Sequence, residues 1–224
     1  MDLLERIDAA IDDRHLLTHS FYSKWVAGTL PREALQDYAR QYHAFEANFP
    51  RFLSALHSRT DRAEHRAALL ENLWDEEHGE ANHRELWLRF AEGVGTTREE
   101  VETAQWKPST QALVEAYARS SREAPVAAGV AAVYAYERQV PAVAQAKIDG
   151  LKAHFDVEDP RTLAFFETHA TLDVEHSAAE RQIIAEGSGG VEDVLRAVDE
   201  ALDAWWGFLD GVDPAKVTPR RDPR

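Results

Sequence analysis

Cysteine is absent from all 224 residues. That absence removes disulfides, thiolate zinc sites, iron–sulfur clusters and a cysteine nucleophile together. Clustered basic charge is missing too: 25 Lys and Arg stand against 40 Asp and Glu, for a net charge of −15. Nucleic acid is thereby excluded as a partner, since phosphate contacts need clustered Lys and Arg, and an anionic membrane surface is disfavoured on the same ground. No apolar run approaches the roughly 18 residues that span a bilayer. The acidic N-terminus, Met1-Asp-Leu-Leu-Glu-Arg-Ile-Asp8, has no signal-peptide pattern. A soluble, cytoplasmic protein is the expectation. Glycine is sparse and falls at breaks such as Gly93-Val-Gly95 and Gly187-Ser-Gly-Gly190.

No stretch alternates in the manner of a strand, and nearly every segment carries a helical period. Helices are expected over about 2–12, 15–27, 31–57, 61–92, 97–104, 109–121, 126–153, 160–186 and 191–211. Pro31 suits a first turn, Asp61 a cap, and Thr97-Arg-Glu-Glu100 a capping box. Pro141 interrupts the alanine-rich helix that contains it. With 44% hydrophobic residues, the chain reads as one all-α domain over 1–212, of about seven to nine helices. A loose, charged tail is expected over 213–224.

Acid and histidine recur at helical spacing in three places. In Trp74-Asp-Glu-Glu-His-Gly-Glu-Ala-Asn-His83, Glu76 and His83 are seven apart. At about 100° per residue they differ by roughly 20° and share a face. Glu80 and Glu77 are further candidates there. In His169-Ala-Thr-Leu-Asp-Val-Glu-His176, the residues His169, Asp173 and His176 lie on one stripe beside Phe165, Phe166 and Leu172. Between these, Glu137 interrupts an apolar helix, and a buried carboxylate needs a partner such as a cation. Arg138 points elsewhere.

Three histidines and three carboxylates form the nitrogen/oxygen mixture that suits iron or manganese, and carboxylates can bridge two ions. Six ligands exceed one tetrahedral zinc site. Each piece has a plainer explanation. The 75–80 run alone reads as a solvated face, the His169/Asp173 pair as a surface hydrogen bond, and Glu137 as a partner for arginine. The residues by themselves leave both explanations open.

The run Leu73–His83, with the Glu-Leu-Trp-Leu-Arg-Phe-Ala-Glu-Gly-Val-Gly95 that follows it, resembles the haem-oxygenase-like di-metal oxidases. It most resembles their branch related to the chlamydial protein associating with death domains. The similarity covers roughly residues 1–212. It implies a TenA/PqqC-like bundle of about seven or more helices. It also implies a di-metal centre on Glu76, His83, Glu137, His169, Asp173 and His176, holding Fe/Fe or Mn/Fe and using dioxygen and an external reductant. In that branch the activity is formation of para-aminobenzoate for folate, with the protein's own side chains as substrate. Carried over, the sacrificial tyrosine falls on Tyr22 and the amino-donating lysine on Lys147. Tyr136 fits a site tyrosine, and Phe165 stands at a position where the branch carries a further tyrosine.

On its neighbours alone, Tyr22 reads as a packing residue and Lys147 as a snorkelling surface lysine. Alternative functions are a di-iron oxidase acting on an external small molecule and a non-catalytic binding protein of the same fold. The missing cysteine disfavours thiaminase chemistry. A haem oxygenase would want a proximal histidine such as His15 or His19, which leaves the carboxylates unexplained. A homodimer is compatible with a bundle of this kind.

Overall fold

Capping signals act where the sequence places them, but the longest expected helices divide. The computed structural model describes residues 1–187 and 190–216. Asp2 and Glu5 close a reciprocal capping box on α1 (Leu3–Asp13). The stretch 15–27 breaks at His19, whose ring accepts from the backbone N–H of Phe21. A 3-10 turn (Leu16–Thr18) therefore precedes α2 (Ser20–Val26). The expected 31–57 helix becomes α3 (Arg32–Glu46) and α4 (Phe49–Arg59), because Pro50 lacks the N–H to continue a ladder and fits a first turn.

The expected 61–92 helix becomes α5 (Ala63–Glu77) and α6 (His83–Gly93). Gly79 turns the chain between them with φ +83°, a conformation that glycine adopts without strain. Asn82 then caps α6 by accepting from Glu85 N–H, whereas Asp61 does not cap α5. Next come α7 (Arg98–Glu102) and α8 (Pro108–Glu123). The Pro141 interruption separates α9 (Val126–Glu137) from α10 (Val140–His154). The order closes with α11 (Pro160–Glu186) and α12 (Val191–Val212). The described residues thus hold twelve α-helices and no strand. None is long and apolar enough to cross a membrane.

Helix α11 packs on α5, α6, α9 and α10, and α12 covers α8 and α9. Helix α9 is buried on every side from Ala127 to Glu137, as its apolar sequence demands. Helix α2 is short and held by particular contacts. Gly150 on α10 leaves room for Trp25; a Cβ there would stand 2.6 Å from the indole. Trp25 Nε1 donates to the Lys147 carbonyl at 3.2 Å, which fixes α2 against α10 and sets Tyr22 beside Lys147. Past α12, Asp213 is buried and accepts from Ser20 Oγ and Lys24 Nζ. Residues 217–224 of the expected tail lie outside the described residues.

Candidate metal centre

Five helices aim acid or imidazole groups at one buried space. Glu46 ends α3, Glu76 lies one residue from the end of α5, His83 begins α6 and Glu137 ends α9. His169, Asp173 and His176 follow one stripe of α11, as their spacing predicts. Two sets emerge, each with donor atoms within 4.8 Å of one another: Glu46 with His83 and His169, and Glu137 with Asp173 and His176. Glu76 stands next to the first set, its Oε1 2.9 Å from His83 Nδ1. The six residues read from the sequence are therefore brought together, although Glu76 and His83 meet across a turn and not along one helix. Glu77 and Glu80 are exposed and stand apart from both sets. His15 and His19 serve as caps, and His19 also contacts Asp210 at 2.8 Å.

The ring orientations leave lone pairs facing inward. His169 Nδ1 lies 2.7 Å from the Phe165 carbonyl, which can only accept, so Nδ1 carries the proton and Nε2 has the free lone pair. His176 Nε2 contacts Asp75 Oδ2 at 3.1 Å, while its Nδ1 has no partner. A carboxylate behind an imidazole is the support expected of a metal ligand. Asn72 Nδ2 donates to both oxygens of Glu137, at 3.0 and 3.3 Å. Buried oxygens with no hydrogen-bond partner include Glu46 Oε1, Glu76 Oε2 and Asp173 Oδ2. Leaving one such group unpaired costs about 1–3 kcal/mol, and more where it is charged.

The electrostatics agree. Burial, then the Glu137 and Asp173 carboxylates, pushes Glu76 well above the usual carboxylate range. Burial and Glu76 do the same to Glu46. Burial first, with Asp173 next, raises Glu137, and burial raises Asp173. His169 falls well below its ordinary value through burial and His83. Burial lowers His176 as well, but the nearby Asp173 and Glu137 carboxylates, with Asp75 behind the ring, outweigh it and leave the ring at about 9. So many carboxylates cannot all ionise in so small a volume without positive charge. A nitrogen/oxygen donor set with no sulfur fits divalent iron or manganese.

Beside this cluster lies an aromatic cage. Lys147 is 5% exposed, not a snorkelling surface residue. Its Nζ is 2.8 Å from Tyr38 Oη and 5.1–5.4 Å from the ring centres of Tyr22, Tyr38, Tyr42 and Phe166. Tyr22 Oη meets Tyr38 Oη at 3.2 Å. Tyr136 hydrogen-bonds Tyr42 and stacks on Trp205 with centroids 4.6 Å apart. Phe165 packs on His169 at 4.1 Å, an apolar contact where a phenol would have been polar. The cage and His169 line a shared cavity of about 10 Å³, room for about one water.

Two buried acids escaped the sequence reading. Glu46 completes the first set. Glu180, one turn beyond His176, is 2% exposed with both oxygens unpartnered. Burial and the adjacent Glu137 raise it well above the usual carboxylate range. A signal existed for Glu46: Tyr38, Tyr42 and Glu46 recur every four residues, which sets the acid on an apolar face.

Residues 36–206 match the family described as iron-containing redox enzyme, haem-oxygenase-like. A 4-aminobenzoate synthase from Chlamydia muridarum is 42% identical over 217 residues, covering 96% of this chain and 92% of that protein. A pyrroloquinoline-quinone synthase from Granulibacter bethesdensis is 29% identical, over 94% of this chain and 85% of that protein. In fold, a TenA homologue from Pseudomonas syringae superposes with a TM-score of 0.80 at 17% identity, covering 94% of this chain and 90% of that one. The chain belongs to the haem-oxygenase-like family of iron-containing redox enzymes.

Proposed function

We propose that this chain forms 4-aminobenzoate, with two metal ions (Fe/Fe or Mn/Fe) bound at the buried cluster and its own side chains as substrate. One observation carries the reading. The first donor set, through His169, borders a nearly filled cage in which a lysine amine is surrounded by tyrosine rings. Glu46, His83 and His169 would hold one ion, Glu137, Asp173 and His176 the other, and Glu76 stands where it could serve both. When bound, the metal pair supplies oxidising power drawn from dioxygen and an external reductant.

The protein's own groups do the rest. Tyr22 offers the ring and Lys147 the amine. Tyr38 tethers the amine by its hydroxyl, and the ring walls keep water away. The cavity holds about one water, which favours a substrate supplied by its own walls. The expected experiment uses protein grown with ring-¹³C tyrosine and ε-¹⁵N lysine, loaded with iron and given oxygen and a reductant. The 4-aminobenzoate should carry both labels and should not exceed one molecule per chain. Many unlabelled turnovers on an added substrate would overturn the self-substrate reading.

Lys147 must be neutral to act as a nucleophile. Burial lowers it from 10.5 to about 7, with Glu46 opposing. Product formation should therefore rise with pH around a midpoint near 7. Lys147→Met should yield no 4-aminobenzoate. The same change should stabilise the fold by roughly 2 kcal/mol, because it removes a poorly solvated amine. A calorimetric melting point below wild type would contradict that account of the lysine.

A further inference from the structure

We propose that the cleft between the α3–α4 junction and the α5–α6 connection is the inlet for hydrated divalent cations. This rests on the metal reading above and adds a route to it. The cleft has a volume of about 270 Å³. Glu77 and Arg84 stand exposed at its rim, Ala47 and Asn82 are half-buried along it, and Glu46 and Glu76 lie buried at its floor. The floor residues each carry an oxygen with no hydrogen-bond partner. The cleft is thus lined by acids from solvent to the cluster.

Size favours an aquated ion. Six waters need roughly 60–90 Å³ at about 10–15 Å³ each, which the cleft can admit. The cage, which reaches the cluster at His169, has about 10 Å³ and mostly apolar walls, so it does not admit a hydrated cation. Charge favours it as well. Glu77 can replace water ligands at the rim before Glu46 and Glu76 do so at the floor, since carboxylate and water oxygens are interchangeable ligand types for such ions. Arg84 does not block the way electrostatically, because Glu102 compensates it at 2.8 Å. On this assignment the centre has two sides: ions arrive through a polar inlet, and oxidation is directed into a dry cage.

The test is the rate of metal uptake, read without turnover. Metal-free protein is mixed with Co(II), and the visible absorption of bound cobalt is followed by stopped flow. Ala47→Trp, which fills the cleft, should slow loading at least tenfold and leave the final spectrum and cobalt content unchanged. Glu77→Lys should slow it about threefold at low ionic strength, with the difference disappearing in high salt. Ala112→Trp, exposed on α8 and outside the cleft, should load as wild type does. Wild-type rates in Ala47→Trp would overturn the inlet while leaving the metal reading standing. If Ala47→Trp loses final occupancy, Glu77→Lys decides: an unchanged low-salt rate overturns the inlet. A wild-type protein that takes up no cobalt or iron removes the metal reading, and the inlet with it.

Discussion

Tyr22→Phe is expected to lower the yield of 4-aminobenzoate by at least a hundredfold while leaving metal uptake and melting temperature close to wild type. The substitution removes one hydroxyl and keeps the ring. Tyr22 packs edge-on against Phe21 at 5.5 Å and against Trp25 at 6.4 Å, and a phenylalanine keeps both contacts. Its hydroxyl makes one long bond, 3.2 Å to Tyr38. Losing that bond costs about 0.5–1.5 kcal/mol at most. No donor atom of the metal cluster changes. The chemistry, by contrast, depends on the phenol, because an unsubstituted phenyl ring is far harder to oxidise. Burial raises the Tyr22 hydroxyl above its ordinary value, so it stays protonated at neutral pH. Its oxidation must then release a proton, and the Tyr38 hydroxyl and Lys147 amine form the chain that can take it. The readouts are product by chromatography, bound iron by chelator assay and melting by circular dichroism. Peptide mass mapping of reacted wild type should find the loss at residue 22. Full yield from Tyr22→Phe with normal iron content would reject Tyr22 as the ring source.

Much of this arrangement is legible in the residues because helices convert spacing into direction. His169, Asp173 and His176 fall on one stripe at steps of four and three, and α11 continues unbroken through them. Glu137 betrays itself as the lone acid in an apolar helix. Glu76 and His83 meet, but not by sharing the face of one helix. Seven residues along one helix would have put them two turns, about 10 Å, apart. Gly79 instead folds the chain back, and the two groups meet end to end.

Glu46 and Lys147 show where local pattern runs out. The four-residue recurrence that marks Glu46 is faint, because helix α3 also carries Glu33, Asp37 and Arg40 on its wetter faces. Lys147 lies between alanine and isoleucine, which suits a snorkelling lysine equally well. Burial of its amine is decided by Tyr22, Tyr38, Tyr42 and Phe166, which come from three other helices. No short-range rule reports that. The breaks at residues 47–48 and 138–139 coincide with Pro50 and Pro141, yet only the second was read as an interruption.

Metal loading should raise the melting temperature by roughly 8–16 °C, and the rise should grow from pH 5 to pH 8. At about a thirtyfold excess over the dissociation constant each ion stabilises the native state by about 2 kcal/mol, so the pair contributes about 4 kcal/mol. In a domain of this size each kcal/mol moves the midpoint by about 2–4 °C. The pH dependence follows from the directions of the shifts. Glu46, Glu76, Glu137 and Glu180 have folded-state values above their ordinary ones. Between the unfolded and folded values the native state holds protons that the unfolded state has released. Without metal, their contribution to stability is full below the ordinary carboxylate value of about 4.5 and is lost as pH rises through the raised values. His176, raised to about 9, acts with the same sign. His83 and His169, lowered by burial, act with the opposite sign only up to the ordinary histidine value of about 6.5, and Lys147 only above about 7, so the more numerous carboxylates outweigh them. Metal reverses the carboxylate contribution, because ligands bind deprotonated and bound cations supply the missing charge. The metal-free melting curve should therefore fall with pH while the loaded curve holds, and the gap between them is the measured quantity. Glu46→Gln should narrow the gap from both directions: it removes one buried acid from the metal-free protein and one donor from the loaded protein. A gap that stays constant across this range would mean the buried carboxylates are not the groups the metal engages.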